Sequence, residues 1–259
     1  MTRRRFYAPP SAFDAKRASV TLATDEARHL REVLRLKVGD DVSVFNGTGQ
    51  EFKCRIAESR RDTAELEVLS EISPAKPESP LRLTLAVALL KGEKFDLVVQ
   101  KVTELGVVSI VPIATKHADI RLRDASDAAK RVARWQRIAL EASKQSGRAV
   151  VPEVKSPIDF ETLIQTAAQS SEGRESEGHG LMFSEREGES LHDACRNIGP
   201  APLELTALIG SEGGWADEEI SLAREAGWKV ITLSGRTLRA ETAAIAVAVV
   251  LQHRFGDLS

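Results

Sequence analysis

Two short polar loops toward the carboxyl end hold the residues best suited to chemistry. The first, Gly210-Ser211-Glu212-Gly213-Gly214-Trp215, places three glycines in five positions. Glycine tolerates positive φ and leaves backbone amides bare, so a small molecule can approach them without a side chain intervening. The second loop, Ser234 to Arg239, carries Arg236 and Arg239 and is followed at once by Glu241 and Thr242. Two cations and a carboxylate just before a fully apolar helix, one unit after the glycine loop, point to a site rather than to structural decoration. The same residues also fit a bland role as a helix cap with surface ion pairs. Arg148, closing the turn Gln145-Ser146-Gly147-Arg148, is a further candidate cation. The glycine loop has neither the GxGxxG spacing of a dinucleotide fold nor the lysine of a phosphate-binding loop, which disfavours a nicotinamide-dependent enzyme.

Both loops follow segments that read as buried strands. Residues 203–209, starting at Leu203, are largely apolar and end at Gly210; Leu208 and Ile209 lead straight into the glycine loop. Asp217, Glu218 and Glu219 suit the first turn of a helix, with Ile220, Ala223 and Ala226 on one stripe and Gly227 as the stop. Residues 228–233 form a second strand that delivers Leu233 to the polar loop. From Glu241 to Leu251 nearly every residue is Ala, Val, Ile or Leu, which predicts a helix buried on all sides, covered by the sheet and by something else, for which a second subunit is the candidate.

Upstream, the apolar run 81–90, a helix with Phe95, Val98, Val102 and Leu105 at helical spacing, and a strand over 107–113 make a strand-helix-strand order. That order implies a parallel sheet with a right-handed crossover. A long helix is expected over 126–144 with Val132, Trp135, Ala139 and Ala142 inward, and shorter helices from Asp159 and over 191–196, with a strand at 181–183. Residues 170–180, including His179, read as a hydrophilic loop. Three prolines within residues 73–80 mark the expected domain boundary, giving domains at 1–72 and 81–259.

The first domain reads as β-rich with one helix. Thr24 or Asp25 can cap a helix to about Leu36 whose Ala27, Leu30, Val33 and Leu34 face inward. Its opposite stripe carries Arg28, Arg31 and Arg35. A hairpin turning at Asn46-Gly47 spans 39–56, and a strand follows at 63–69. Arg3, Arg4 and Arg5 with the helix arginines can form a cationic surface for RNA, where Phe6 or Tyr7 stacks on a base.

At 259 residues, 42% apolar and 29% charged, the chain has the composition of a globular protein, and a formal net charge of -2 confines any nucleic-acid contact to a patch. No apolar stretch suits a signal peptide or a membrane helix, so a cytoplasmic protein is expected. Cys54 and Cys195 form no CxxC pair and read as buried free thiols. The five histidines show no ligand spacing, and no metal is expected.

The glycine loop resembles the Gly-Pro-Glu-Gly-Gly-aromatic loop of the bacterial 16S rRNA uridine-N3 methyltransferases, with Ser211 at the proline position. The stretch 233–243 is similar to their Leu-Gly-x-Arg-Ile-Leu-Arg-x-Glu-Thr-Ala loop, with Ser234 and Thr237 as departures. Residues 94–106, 141–148, the Arg-Arg-Phe start and the pattern from His29 to Arg35 resemble the same family. The resemblance implies an N-terminal PUA-like β-barrel that holds rRNA and a C-terminal SPOUT α/β domain with a parallel sheet and a trefoil knot. It implies S-adenosylmethionine held by Leu208, Ile209, Gly210, Glu212, Gly213, Gly214, Leu233, Ser234, Gly235, Leu238, Arg239 and Thr242, and a homodimer of knotted domains. The implied reaction methylates N3 of a uridine in the small ribosomal subunit. Arg236, Arg239 or Arg148 would stabilise the uracil anion, and Glu212 or Glu241 would take its proton. Methylation of a ribose 2′-OH or another base, and a non-catalytic rRNA-binding assembly factor, are the alternatives.

Overall fold

The computed structural model describes residues 4–118, 120, 122–171, 179–198, 204–233 and 235–258, which form two compact units. The first comprises Met1–Glu78 with Glu141–Val151, and the second comprises Ser79–Leu140 with Pro152–Ser259. The return segment Glu141–Val151 therefore adds to the first unit residues that the sequence boundary had left in the second.

In the first unit, strands β1 (Arg5–Tyr7), β2 (Ser19–Leu22), β3 (Asp41–Phe45), β4 (Glu51–Ser59) and β5 (Ala64–Ile72) form a sheet ordered β1-β3-β4-β5-β2. Alternation sends Val42, Val44, Phe52, Cys54, Ile56 and Leu66 into one core, shared with Phe6 and Leu22. Burial drives the Cys54 thiol up to about 12, as suits an inert core cysteine. The β3-β4 turn is built by Asn46, whose Oδ1 accepts the Thr48 and Gln50 amides at 2.9 and 3.2 Å.

The helix of this unit departs from the expected one. Helix α1 is Thr24–Arg28, its N-cap is Ala23 rather than Thr24 or Asp25, and His29–Val33 continues as π-helix. The Leu34 amide accordingly bonds the His29 carbonyl five residues back, at 3.0 Å. This wider turn shifts the apolar stripe. Ala27, Leu30 and Leu36 are buried, whereas Val33 is 67% and Leu34 39% exposed, and Arg35 takes φ 53°.

The second unit contains β6 (Arg82–Ala88), α2 (Lys94–Glu104), β7 (Ser109–Ala114), α3 (Ala125–Ser146, whose last turn belongs to the first unit), β8 (Glu153–Val154), β9 (Ile158–Asp159) and α4 (Phe160–Ser171). It continues with β10 (His179–Phe183), β11 (Glu189–Ser190), α5 (Leu191–Ile198), β12 (Glu204–Ile209), α6 (Asp217–Glu225), β13 (Lys229–Thr232) and α7 (Ala240–Phe255). Every pairing of this sheet is parallel, in the order β11-β13-β10-β12-β6-β7-β8, with β9 on β7. His179 opens β10 instead of lying in a loop, and Ser170 and Ser171 end α4; the rest of the expected loop up to 178 and Leu203 lie outside the described residues.

Helix α2 buries Phe95, Val98, Val99 and Val102, one apolar stripe at helical spacing. Helix α7 is less enclosed than its composition suggests. Ala244, Val247, Ala248 and Leu251 are buried, but Thr242 and Val249 are exposed, and Ile245, Ala246 and Val250 are half-buried. No helix among the described residues is long and apolar enough to cross a membrane.

Candidate active site

A cavity of about 310 Å³ opens at the carboxyl ends of β10, β12 and β13. This is where open parallel sheets gather ligands, because the loops leaving adjacent strands converge there. Its walls come from Phe183 at the end of β10 with Ser184 and Glu185 beyond it, from Ile209 at the end of β12 with Gly210 to Gly214 beyond it, and from Thr232 at the end of β13 with Leu233 and Gly235 to Leu238 beyond it; Ala240, Ala243 and Val247 of α7 also line it.

The glycine loop is held from several sides. The buried Trp215 indole donates to the Phe183 carbonyl at 2.7 Å, and Arg186 donates to the Trp215 carbonyl. Glu219, itself buried, accepts the Ala216 amide and the Lys116 amide, both at 2.9 Å, so one carboxylate fixes the start of α6 and the turn after β7. His117 Nδ1 lies 3.1 Å from the Gly213 carbonyl, and a Cβ on Gly213 would meet His117 Cβ at 2.8 Å. Glu212 at the loop tip pairs with Lys94.

The polar inventory of the cavity fits a polar small molecule. Ser211 Oγ and Thr232 Oγ1 are shielded from water and have no hydrogen-bond partner among the described residues. Leaving such a hydroxyl unpaired costs about 1–3 kcal/mol, which a ligand with matching donors and acceptors recovers.

The RNA methyltransferase domain family matches residues 77–252, and the RNA methyltransferase PUA domain matches residues 22–69. A ribosomal RNA small subunit methyltransferase E of Synechocystis is 34% identical over 87% of this chain and 70% of its own length. Among solved structures, the ribosomal RNA small subunit methyltransferase E of Neisseria gonorrhoeae bound to S-adenosyl methionine has a TM-score of 0.82 at 32% identity over 100% of both chains. A methyltransferase of Legionella pneumophila in complex with the same cofactor gives 0.83 at 30% identity, again over 100% of both chains. The chain belongs to the ribosomal RNA small subunit methyltransferase E family. Its five-stranded N-terminal sheet is the PUA-like barrel, and its parallel sheet is the SPOUT-type α/β domain.

In this family member the cavity gathers Ile209, Gly210, Glu212, Gly213, Gly214, Leu233, Gly235, Arg236 and Leu238 from the residues singled out in the sequence. Ser234 lies outside the described residues. Leu208 is turned into the core beside Met182, because adjacent residues of a strand face opposite ways. Arg239 is the exposed N-cap of α7, and Thr242 is exposed one turn on; neither lines the cavity. Glu241 is half-buried, with Oε2 shielded and without a partner among the described residues.

Three of the proposed RNA-contacting residues are occupied inside the first unit. Phe6 is fully buried in the barrel core and cannot stack on a base. Arg5 bonds Glu51 at 3.0 Å and the Arg148 carbonyl at 2.8 Å, and stacks 4.0 Å over the Phe45 ring. The buried Arg148 places Nε and Nη2 at 3.0 and 2.6 Å from Glu78 Oε2. Lys144 lies 2.7 Å from Glu26 and 3.3 Å from Glu141; burial pulls its ammonium pKa down, but the two carboxylates together outweigh that and hold it above the ordinary lysine range. Arg4, Arg28 and Arg35 are exposed, Arg31 bonds the carbonyls of Arg60 and Arg61 at 2.7 Å each, and Arg3 lies outside the described residues.

Sequence reasoning missed Ser184, Glu185 and Thr232. They sit just past or at the ends of strands whose adjacency is a matter of sheet order, and no local pattern announces it. The one available signal is polarity: Ser184-Glu185 ends an apolar strand abruptly.

Proposed function

We propose that the protein transfers a methyl group from S-adenosylmethionine to N3 of a uridine in the 16S rRNA of the small ribosomal subunit. What carries this reading is the cavity with its orphaned Ser211 and Thr232 hydroxyls and bare glycine amides, in a chain whose relatives are named for methylating small-subunit rRNA and have been solved with the cofactor bound. Ser211, Thr232 and the amides of Gly210, Gly213 and Gly214 would hold the cofactor, and Ile209, Leu238 and Val247 supply an apolar wall. Bound there, S-adenosylmethionine supplies an electrophilic methyl group on a sulfonium.

The remaining work falls to the chain. Uracil N3 is a neutral imide whose attack requires loss of its proton, and the charge then spreads onto two ring carbonyl oxygens. Arg236 on the cavity wall and Arg239 at the head of α7 are the donors suited to those oxygens. Arg148 is withdrawn from this role by Glu78. Between the two carboxylates, Glu241 suits proton removal better than Glu212: its Oε2 is shielded and unpaired among the described residues, whereas Glu212 is tied to Lys94. N3 lies on the Watson-Crick edge, so the target must be unpaired or extruded.

Helix α7 follows β13 yet packs on α2, β6 and β12, on the far side of the intervening β10; this recrossing supports the knotted reading. The apolar outer face of α7, with Ile245, Ala246 and Val249, and the exposed Leu97 of α2 support a homodimer. The barrel would hold rRNA through Arg4, Arg28 and Arg35, and the cytoplasm follows from the substrate. Incubation with isotopically labelled S-adenosylmethionine and unmodified small subunits, then nucleoside mass spectrometry, tests the reading. Labelled 3-methyluridine is expected. Label on a ribose or another base would overturn the position, and no label together with no cofactor binding would point to an assembly factor.

A further inference from the structure

We propose that Glu185 is the ribose-binding residue of the cavity. This rests on the reading of the cavity as an S-adenosylmethionine site.

Glu185 stands two residues beyond β10, the strand that lies between β12 and β13. That place in the sheet delivers its side chain between the glycine loop and the loop after β13. The carboxylate rests against the glycine loop itself. A Cβ on Gly214 would collide with Glu185 Oε1 and stand 3.2 Å from its Cδ, and Gly214 also has φ +69°. The positive φ is what calls for glycine at position 214, whereas a side chain there would only have to displace the flexible end of the partly exposed Glu185.

The carboxylate is also uncommitted. Among the described residues its one ion contact is Arg186 Nε at 3.7 Å, too long for a hydrogen bond. The Arg186 guanidinium is engaged elsewhere, with the Trp215 carbonyl and with Asp217 at 3.3 Å. Glu212, the other acid on the wall, is paired with Lys94.

An ionised carboxylate only accepts hydrogen bonds, and its two oxygens are spaced to take two hydroxyl donors at once. A vicinal diol is the group that presents such a pair, and acidic residues beyond the ends of parallel strands bind ribose hydroxyls in this way in dinucleotide folds. Ser211 and Thr232 hydroxyls both donate and accept, so they do not select for a diol. Glu185 does.

Calorimetry with three ligands tests this. S-adenosylmethionine carries diol, ammonium and sulfonium; S-adenosylhomocysteine lacks the sulfonium; 5′-methylthioadenosine keeps the diol and lacks the whole amino-acid part. Glu185→Ala is expected to weaken all three by the same factor, about tenfold or more, the worth of a charge-assisted hydrogen bond. Glu185→Gln is expected to weaken each less, because the amide keeps one acceptor. Unchanged melting temperatures would confirm that both variants fold. The proposal is overturned if 5′-methylthioadenosine binds unchanged while the other two weaken, which would assign the carboxylate to the ammonium. It is equally overturned if only S-adenosylmethionine weakens, or if all three bind as before while turnover falls. A wild-type protein that bound none of the three would overturn the cofactor reading itself, and this proposal with it.

Discussion

Arg5 and Arg148 in the first unit and Arg236 and Arg239 beside the cavity of the second are equally conspicuous in the sequence, and the structure uses them in opposite ways. The first pair is turned inward onto Glu51 and Glu78, with Arg5 also reaching the Arg148 carbonyl. The second pair is exposed and makes no ion pair among the described residues. A guanidinium with several donors is satisfied by carboxylates and carbonyls alike, so it ties distant segments of one chain together as readily as it holds a phosphate or an oxyanion. What separates the two uses is the acid supplied nearby. Glu78 comes from the proline-rich stretch and Glu51 from β4, both distant in sequence from Arg148.

The largest effect that would break this contrast is expected at Arg148. Arg148→Ala leaves Glu78 without its two-point partner and should cost the first unit about 3–5 kcal/mol, toward the lower figure because Glu78 keeps some contact with solvent. Arg148→Lys should restore little of it, since a point charge cannot reproduce the two-nitrogen contact. Hydrogen exchange of the β4 and β5 amides reads the change in that unit. Normal protection combined with weakened rRNA binding would reverse the assignment and return Arg148 to the RNA surface.

At Arg236 and Arg239 the opposite pattern is expected. Neither Arg236→Ala nor Arg239→Ala should move stability by more than about 0.5 kcal/mol, because no packed contact is lost. Single-turnover methylation should fall about 100-fold in each, the usual cost of one donor to a developing oxyanion. Full methylation by both variants would remove these residues from the chemistry, and a drop in melting temperature would mark them as structural after all.

Much of the architecture was legible because it is written in local periodicity. The stripe Phe95, Val98 and Val102, the alternation of β4 and the acidic first turn of α6 each state their element without outside help. The glycine loop was legible for the same reason, as a run of residues whose types only a bare backbone explains. Glu185 and Thr232 were not, since they join the site through the order of strands, which comes from long-range pairing. The burial of Phe6, Arg5 and Arg148 was hidden likewise: an Arg-rich terminus reads as a solvated one until Glu51 and the 141–151 return segment are folded against it. Val33 and Leu34 were misplaced because an ordinary helical period was carried through a stretch that winds more widely.

The smallest effect, and the one that sharpens the contrast most, is expected at Arg28 and Arg35. Among the described residues Arg28 pairs with Glu32, in a solvent-facing pair where Arg31 and Arg28 together hold the Glu32 carboxyl below the usual carboxylate range. Such a pair does little for stability, so Arg28→Ala should leave melting unchanged while lowering rRNA affinity evenly across sequences and reducing the salt slope of binding by about 1. Arg35 carries an additional cost, since its φ of 53° lies in the left-handed region that side chains avoid. Arg35→Gly should therefore stabilise the barrel by about 0.5–1 kcal/mol and weaken rRNA binding together, two changes of opposite sign from one substitution. A gain in stability with binding intact would show that the guanidinium merely tolerates its backbone. A gain in stability with weaker binding would show that the strained position holds an arginine for the sake of the RNA, which neither Arg5 nor Arg148 does.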